Sequence, residues 1–214
     1  MIKAVIFDMD GVLIDTEKLY NRFWCQAAKE YGFDMTFEHA LSIRSMSAEY
    51  AIPMLTKIFG EEFPYHDVKK RRIEIMEDYV NSFGVEAKAG VKEIISYLKS
   101  NGYKCAIATS SDMYRTQKYL AMAGIKMDFD AIICGPEVEH SKPAPDIYIT
   151  AANKLSLHTQ ECVAVEDSNN GILSAYNAGC RVVMVPDLSQ PDEEMKKYLF
   201  GIAKKVNEIS SFLN

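Results

Sequence analysis

Two carboxylates stand two positions apart near the start of the chain, directly after an apolar run. The run Ala4–Phe7 is unbroken and rich in β-formers, which is typical of a parallel strand buried on both faces. Asp8 and Asp10 follow it, and in an extended segment residues two apart point the same way. Gly11 then permits a sharp turn. Because two converging carboxylates repel each other, either one is protonated or a cation lies between them.

Such a carboxylate pair suits phosphoryl transfer. One carboxylate can attack phosphorus and form an aspartyl phosphate, while the other protonates the leaving oxygen and later deprotonates water. Mg²⁺ would offset the charge of both carboxylates and of the phosphate. Asp-x-Asp-Gly alone is also compatible with a plain turn after a strand. A calcium loop is excluded, because its fifth and sixth places require an acid or Asn and then Gly, whereas the chain has Val12 and Leu13.

Two further groups of polar residues lie next to predicted elements. Thr109 and Ser110 come after a predicted strand, where a hydroxyl and exposed backbone N–H groups suit a phosphate oxygen. The same residue types also serve as helix N-caps, so this alternative stays open. Lys142 precedes a predicted helix, and its ammonium there would hold a phosphate and screen it from Asp8. A lysine before proline is otherwise an ordinary surface residue.

A second acid pair closes another buried strand. Glu166 and Asp167 follow directly on an apolar run, where adjacent acids are costly unless they are solvated, paired or bound to a metal. Ligands of open parallel sheets bind beyond the carboxyl ends of the strands. An acid pair, a hydroxyl, a lysine and a second acid pair, all at such ends, therefore indicate one shared site.

The elements that must position these residues alternate between strand and helix from residue 88 onward. After the first strand, further strands are predicted at residues 105–108, 131–134, 162–165 and 181–185, with helices between them. This alternation predicts an α/β fold, a Rossmann-like parallel sheet flanked by helices. Residues 1–15 and 83–214 would form this catalytic core.

The segment between residues 16 and 82 reads as helical throughout. We expect it to be an inserted α-helical cap domain over the carboxyl edge of the sheet, with helices near residues 19–31, 48–59 and 66–83. Its basic run at residues 69–72 is interpreted as a solvated helix face, the alternative being that one of these residues contacts the substrate.

Composition narrows the class of protein. The chain has 214 residues, 48% hydrophobic and 25% charged, as in a soluble globular protein, and its net charge of −6 speaks against a nucleic-acid partner. Its five cysteines are widely spaced without a Cys-x-x-Cys pair, which is typical of free thiols in a reducing cytoplasm. Neither a signal-peptide pattern nor an apolar span of membrane length is found. We expect a cytoplasmic monomer that acts on a small phosphorylated metabolite and has no nucleic-acid or membrane partner.

Four segments resemble the four motifs of the haloacid dehalogenase superfamily. The similarity is greatest to the branch that holds sugar-phosphate phosphatases and β-phosphoglucomutase and that carries a small α-helical cap. The segments are Asp-Met-Asp-Gly-Val-Leu at 8–13, Ala-Thr-Ser at 108–110, Ser-Lys-Pro at 141–143 and Val-Glu-Asp-Ser at 165–168.

The resemblance implies a role for each of these polar residues. Asp8 would be the nucleophile and Asp10 the general acid and base. Mg²⁺ would be held by Asp8, the backbone carbonyl of Asp10 and Asp167, with Glu166 either ligating it or lying just behind the ligands. The transferring phosphoryl group would be held by Thr109, the Ser110 backbone N–H and Lys142.

The function implied is hydrolysis of a small phosphate monoester, most simply a sugar phosphate, through an aspartyl-phosphate intermediate. The alternative is a phosphomutase of the β-phosphoglucomutase type. That enzyme has a His where this chain has Tyr20, and a Lys-Gly-x-Ser-Arg loop where this chain has Arg-Ser-Met-Ser-Ala at 44–48. These differences favour a phosphatase. A phospho-receiver binding switch is a remote alternative, because such domains are shorter and lack a helical insertion after the first strand.

Overall fold

The computed structural model describes residues 1–213, and its contacts divide the chain into two compact units. One unit comprises Met1–Asp15 together with the chain from Val85 onward, and the other comprises Thr16–Gly84. The placement of the second unit as a cap over the sheet stays a prediction.

The first unit is built on a single parallel sheet of six strands in the order β3-β2-β1-β4-β5-β6. The strands are β1 (Ala4–Phe7), β2 (Lys104–Thr109), β3 (Ala131–Cys134), β4 (Cys162–Glu166), β5 (Arg181–Met184) and β6 (Gly201–Ile202). The predicted parallel α/β fold is therefore confirmed.

Eight α-helices accompany the sheet in residues 1–213. In chain order they are α1 (Glu17–Glu30), α2 (Phe37–Ser42), α3 (Ala48–Phe59), α4 (Tyr65–Phe83), α5 (Val91–Ser100), α6 (Met113–Met122), α7 (Asp146–Lys154) and α8 (Asn169–Asn177). Within this range no helix is long and apolar enough to cross a membrane.

Strand β1 lies in the middle of the sheet, and all four of its residues are fully buried. Ala4 and Ile6 pack in one apolar cluster with Ile147 of α7 and Ile172 of α8, while α5 contacts β2. Burial on both sides explains the continuous apolar run, since each Å² removed from water contributes about 25 cal/mol. The core therefore holds the end of β1 in a fixed place.

The second unit contains α1 to α4, and α1 packs against α4. Helix α2 was not predicted, because its six residues are too short to show a helical period. Its start is nevertheless marked in the sequence, since the Thr36 hydroxyl accepts a hydrogen bond from the backbone N–H of His39. A threonine at the N-cap, followed three positions later by a side chain that accepts a hydrogen bond from the threonine backbone N–H, is a capping pattern that can be recognised in a sequence.

The interpretation of residues 69–72 as a solvated face is wrong for Arg72. This side chain is buried, and its guanidinium lies 5.0 Å from the ring centroid of Tyr20 and 5.3 Å from that of Trp24. Arg71 instead lies on a more open side of α4 and donates to Glu30. Successive helical residues are turned by about 100°, so four adjacent basic residues cannot all face solvent.

The sheet also continues beyond the last predicted strand. Strand β6 has two residues, Gly201–Ile202, and pairs in parallel with β5. Two residues carry no alternation of apolar and polar side chains, so the sequence pattern alone does not reveal this strand.

Candidate active site

The site begins where the ends of three neighbouring strands meet. Phe7, the last residue of β1, lies opposite Ile107 of β2 on one side and Val165 of β4 on the other. The backbone N–H of Asp8 continues this pairing by donating to the Val165 carbonyl at 2.9 Å. Since parallel strands lie about 4.8 Å apart, side chains that leave these ends are brought together.

A tight turn after β1 places the second carboxylate. Gly11 has a φ of 84°, which other residues rarely adopt, and its N–H donates to the Ile14 carbonyl at 2.9 Å. Asp10 is only half-buried, whereas Asp8 is 4% exposed. The Ser111 hydroxyl donates to Oδ2 of Asp10 at 3.2 Å.

Ser111 was not among the predicted site residues. Its only sequence signal is its place as the last hydroxyl of the Thr-Ser-Ser run after β2. A hydrogen bond within the run holds its two ends together, since the Ser111 N–H donates to Oγ1 of the buried Thr109 at 3.1 Å, while Ser110 is exposed.

The N-cap of helix α6 is Asp112, whose side chain accepts from the Arg115 N–H at 2.8 Å. The N-cap alternative for Thr109 and Ser110 is therefore wrong.

Lys142 is a buried residue rather than a surface one. Its side chain is fully buried, and its ammonium donates to Oδ1 of Asp8 and Oε1 of Glu166, both at 2.6 Å, and to the Ala108 carbonyl at 3.1 Å. These three acceptors belong to the ends of β1, β4 and β2. The lysine thus joins the ends of all three strands.

Three carboxylates converge beside this lysine. Asp8, Glu166 and Asp167 each offer an oxygen, these oxygens lie within 4.8 Å of one another, and all three residues are buried. The second acid pair is therefore not a solvated loop. An all-oxygen donor set of this charge matches hard cations such as Mg²⁺.

The two oxygens of Glu166 have different surroundings. Oε1 accepts short hydrogen bonds of 2.6 Å from Lys142 and from the hydroxyl of Tyr148. Oε2 has only longer contacts, at 3.2 Å to the Asp167 N–H and 3.3 Å to the Ser168 hydroxyl. Oε1 is thus shared by the lysine and the tyrosine, whereas Oε2 lies against the beginning of α8.

Charge in the cluster is unbalanced. Burial raises the pKa of Asp8 well above its usual range, Lys142 opposes this, and the neighbouring carboxylates, led by Glu166 and Asp167, raise it further. Burial acts to lower the pKa of Lys142, but the attraction of Asp8 and Glu166 outweighs it and the pKa is raised. The lysine stays charged at neutral pH, and a cation among the carboxylates would favour the ionised form of Asp8.

The fold and this site define a parallel α/β enzyme with a lysine-bound carboxylate at the carboxyl edge of its sheet. Residues 5–185 match the family model described as haloacid dehalogenase-like hydrolase, so the chain belongs to the haloacid dehalogenase-like hydrolases. The resemblance seen in the four sequence motifs is thereby confirmed.

Individual relatives agree with this assignment. The chain is 32% identical over 178 residues to a phosphorylated carbohydrates phosphatase of Thermotoga maritima, covering 83% of this chain and 82% of that one. It is 30% identical over 191 residues to hexitol phosphatase B of Escherichia coli, covering 86% and 84%. A crystal structure of a putative β-phosphoglucomutase from Thermotoga maritima has a TM-score of 0.74 and 28% identity, covering 99% and 98%.

Proposed function

We propose that this protein is a Mg²⁺-dependent phosphatase that hydrolyses a small phosphorylated carbohydrate through an aspartyl-phosphate intermediate. The observation that carries the proposal is the buried Asp8, held by the Lys142 ammonium at 2.6 Å inside a cluster of carboxylates. The relatives named above as phosphatases of phosphorylated carbohydrates and hexitols support this choice of substrate class.

The residues present fit a divalent cation. Asp8, Glu166 and Asp167 offer only oxygen atoms, and the single positive charge of Lys142 does not balance them. Asp8, Asp10, Glu166 and Asp167 would hold Mg²⁺, Asp10 through its backbone carbonyl. When bound, Mg²⁺ offsets negative charge on the carboxylates and the phosphate.

The chain's own residues would carry out two displacements at phosphorus. A carboxylate oxygen of Asp8 attacks, the bond from phosphorus to the alcohol oxygen breaks, and Asp10 gives that oxygen its proton. Asp10 then takes a proton from water, whose oxygen attacks phosphorus and breaks the bond to Asp8, so that inorganic phosphate leaves. Thr109, the Ser110 backbone N–H and Lys142 hold the phosphoryl oxygens during both steps.

A phosphate-release screen over sugar and nucleotide monophosphates, with Mg²⁺ present, tests the proposal. We expect wild-type protein to release inorganic phosphate catalytically from at least one sugar or sugar-alcohol phosphate. Asp8→Asn should abolish turnover, because an amide cannot form the aspartyl phosphate. Undiminished turnover in Asp8→Asn would overturn the mechanism, and a wild-type protein inert toward every monoester would overturn the function.

A phosphomutase is not favoured. The charge of Arg44 is already balanced within its own unit, since its Nε lies 3.9 Å from Oε2 of Glu17 and both side chains are 8% exposed. A mutase of the β-phosphoglucomutase type needs a cation for the second phosphate of its bisphosphate intermediate. Incubation with β-glucose 1-phosphate and a trace of bisphosphate should therefore form no glucose 6-phosphate, and accumulation of glucose 6-phosphate would contradict the assignment.

A monomeric state, a cytoplasmic location and the lack of nucleic-acid or membrane partners stay predictions. The location is supported by the five cysteines, all of which are unpaired. Light scattering on the purified protein tests the monomer directly.

A further inference from the structure

Tyr148 lies outside every sequence motif of the site, yet it contacts the catalytic cluster. It is fully buried in α7, and its hydroxyl donates at 2.6 Å to Oε1 of Glu166. The same oxygen accepts from Lys142 at 2.6 Å, and the Lys142 ammonium lies 5.2 Å from the centroid of the tyrosine ring. One carboxylate oxygen thus has two donors, one charged and one neutral.

We propose that Tyr148 is a positioning residue of the phosphatase: by sharing Oε1 of Glu166, it keeps the Lys142 ammonium available to Asp8. The inference rests on the proposed function, because it assigns Lys142 the role of holding the phosphoryl group beside Asp8.

The carboxylate of Glu166 has no room to adjust if the tyrosine hydroxyl is lost. Its Oε2 is approached by the Asp167 N–H and the Ser168 hydroxyl. The first turn of α8 closes the other side, since a Cβ added at Gly171 would overlap the carboxyl group of Glu166. Compensation must therefore come from the side chain that shares Oε1, which is Lys142.

Loss of the hydroxyl would shift the lysine between its two carboxylates. Lys142 donates to Asp8 and Glu166 at the same distance, 2.6 Å, so neither acceptor dominates. With Tyr148 hydroxyl removed, Oε1 of Glu166 carries more uncompensated charge and attracts the ammonium more strongly. The expected result is weaker contact between Lys142 and the phosphoryl group on Asp8.

The experiment compares wild-type protein with Tyr148→Phe, Glu166→Gln and the double variant, all full-length and with Mg²⁺. We measure kcat and KM with the best monoester from the screen, and the Kd of inorganic phosphate by calorimetry. Tyr148→Phe should lower kcat about tenfold with KM changed less than twofold, because the contact of Lys142 is strongest in the transition state. In the Glu166→Gln background the same change should lower kcat less than twofold.

Tyr65→Phe is the control, because it makes the same change at another buried tyrosine, in the other unit. Both phenylalanine variants should stay folded at the assay temperature, and Tyr65→Phe should keep wild-type kcat. An equal loss of kcat from Tyr148→Phe in both backgrounds, or no loss in the wild type, would overturn the positioning role while leaving the phosphatase intact. A wild-type protein that neither releases nor binds phosphate would instead overturn the proposed function and this role with it.

Discussion

Asp8 and Asp10 are chemically identical, but their surroundings suit them to different tasks. Asp8 is 4% exposed and held by the Lys142 ammonium, which fixes the direction of its oxygen and screens its charge. Asp10 is only half-buried and accepts a hydrogen bond from the neutral Ser111 hydroxyl. A nucleophile needs the first setting, and a group that exchanges protons with water needs the second.

Asp10→Asn should slow turnover by roughly 10²–10⁴-fold, the usual contribution of general acid–base catalysis. The loss of rate should differ between formation and hydrolysis of the aspartyl phosphate. With p-nitrophenyl phosphate, whose leaving group needs no proton, stopped-flow absorbance should show a burst of p-nitrophenolate close to one equivalent, followed by slow turnover. Steady-state turnover equal to that of the wild type would show that Asp10 is not the acid and base.

Ser111→Ala tests whether the hydroxyl that holds Asp10 matters to catalysis. Loss of one hydrogen bond worth about 1.4 kcal/mol corresponds to about tenfold in rate, so kcat should fall by about that factor. The same change in the Asp10→Asn background should have little further effect, because the carboxylate it positions is gone. Additive losses in the two backgrounds, measured as kcat, would contradict this link.

At the scale of elements, the beginning of α8 is as important to the site as the strand ends. The Ser168 side chain caps this helix by accepting from the Gly171 N–H at 3.1 Å, and it also donates to Glu166. Gly171 is needed because its helix turn packs directly on that carboxylate. The beginning of α8 therefore fixes the position of the Glu166 carboxylate in the site.

Gly171→Ala should lower activity and stability together. Replacing glycine by alanine inside a helix usually stabilises by about 0.5–1 kcal/mol, but here the new methyl group must displace the carboxylate of Glu166. We expect a lower melting temperature and a loss of kcat larger than tenfold. Asn169→Ala, at an exposed position in the same turn, is the control and should leave both quantities near wild type. A Gly171→Ala protein that is more stable and fully active would show that the carboxylate can move.

At the scale of the whole molecule, the negative net charge of the protein opposes the binding of an anionic substrate. The chain carries a net charge of −6 and would bind an anionic substrate at a site lined with carboxylates. Attraction of phosphate must therefore be local, through Lys142 and a bound cation, rather than through the overall field.

Mg²⁺ should raise the melting temperature of the protein, since a ligand that binds only the folded state stabilises it by mass action. At about 100 times Kd this amounts to about 2.7 kcal/mol, or roughly 5–10 °C for a chain of this size. EDTA should remove the shift and abolish phosphate release. Asp167→Asn, which removes one buried carboxylate of the cluster, should show a much smaller shift. A wild-type protein that melts at the same temperature with Mg²⁺, EDTA or NaCl of matched ionic strength would contradict a metal site.

Much of the site was predictable because its signals are local. Asp8, Thr109 and Glu166 each stand at the end of an apolar run, and the parallel fold implied by alternating strands and helices brings such ends together. The short strand β6 and helix α2 lacked a periodic pattern of their own and were missed.

The sequence by itself therefore determined the fold class, the family and the residues at the strand ends, because a buried strand must be apolar until it reaches the polar edge. Only the tertiary structure decided which side chains meet there. Lys142 reaches Asp8 across 134 positions, and Tyr148 reaches Glu166 across 18. A contact between such distant positions depends on how helices pack on the sheet, and the residue type alone does not distinguish a tyrosine that fills the core from one that positions a catalytic lysine.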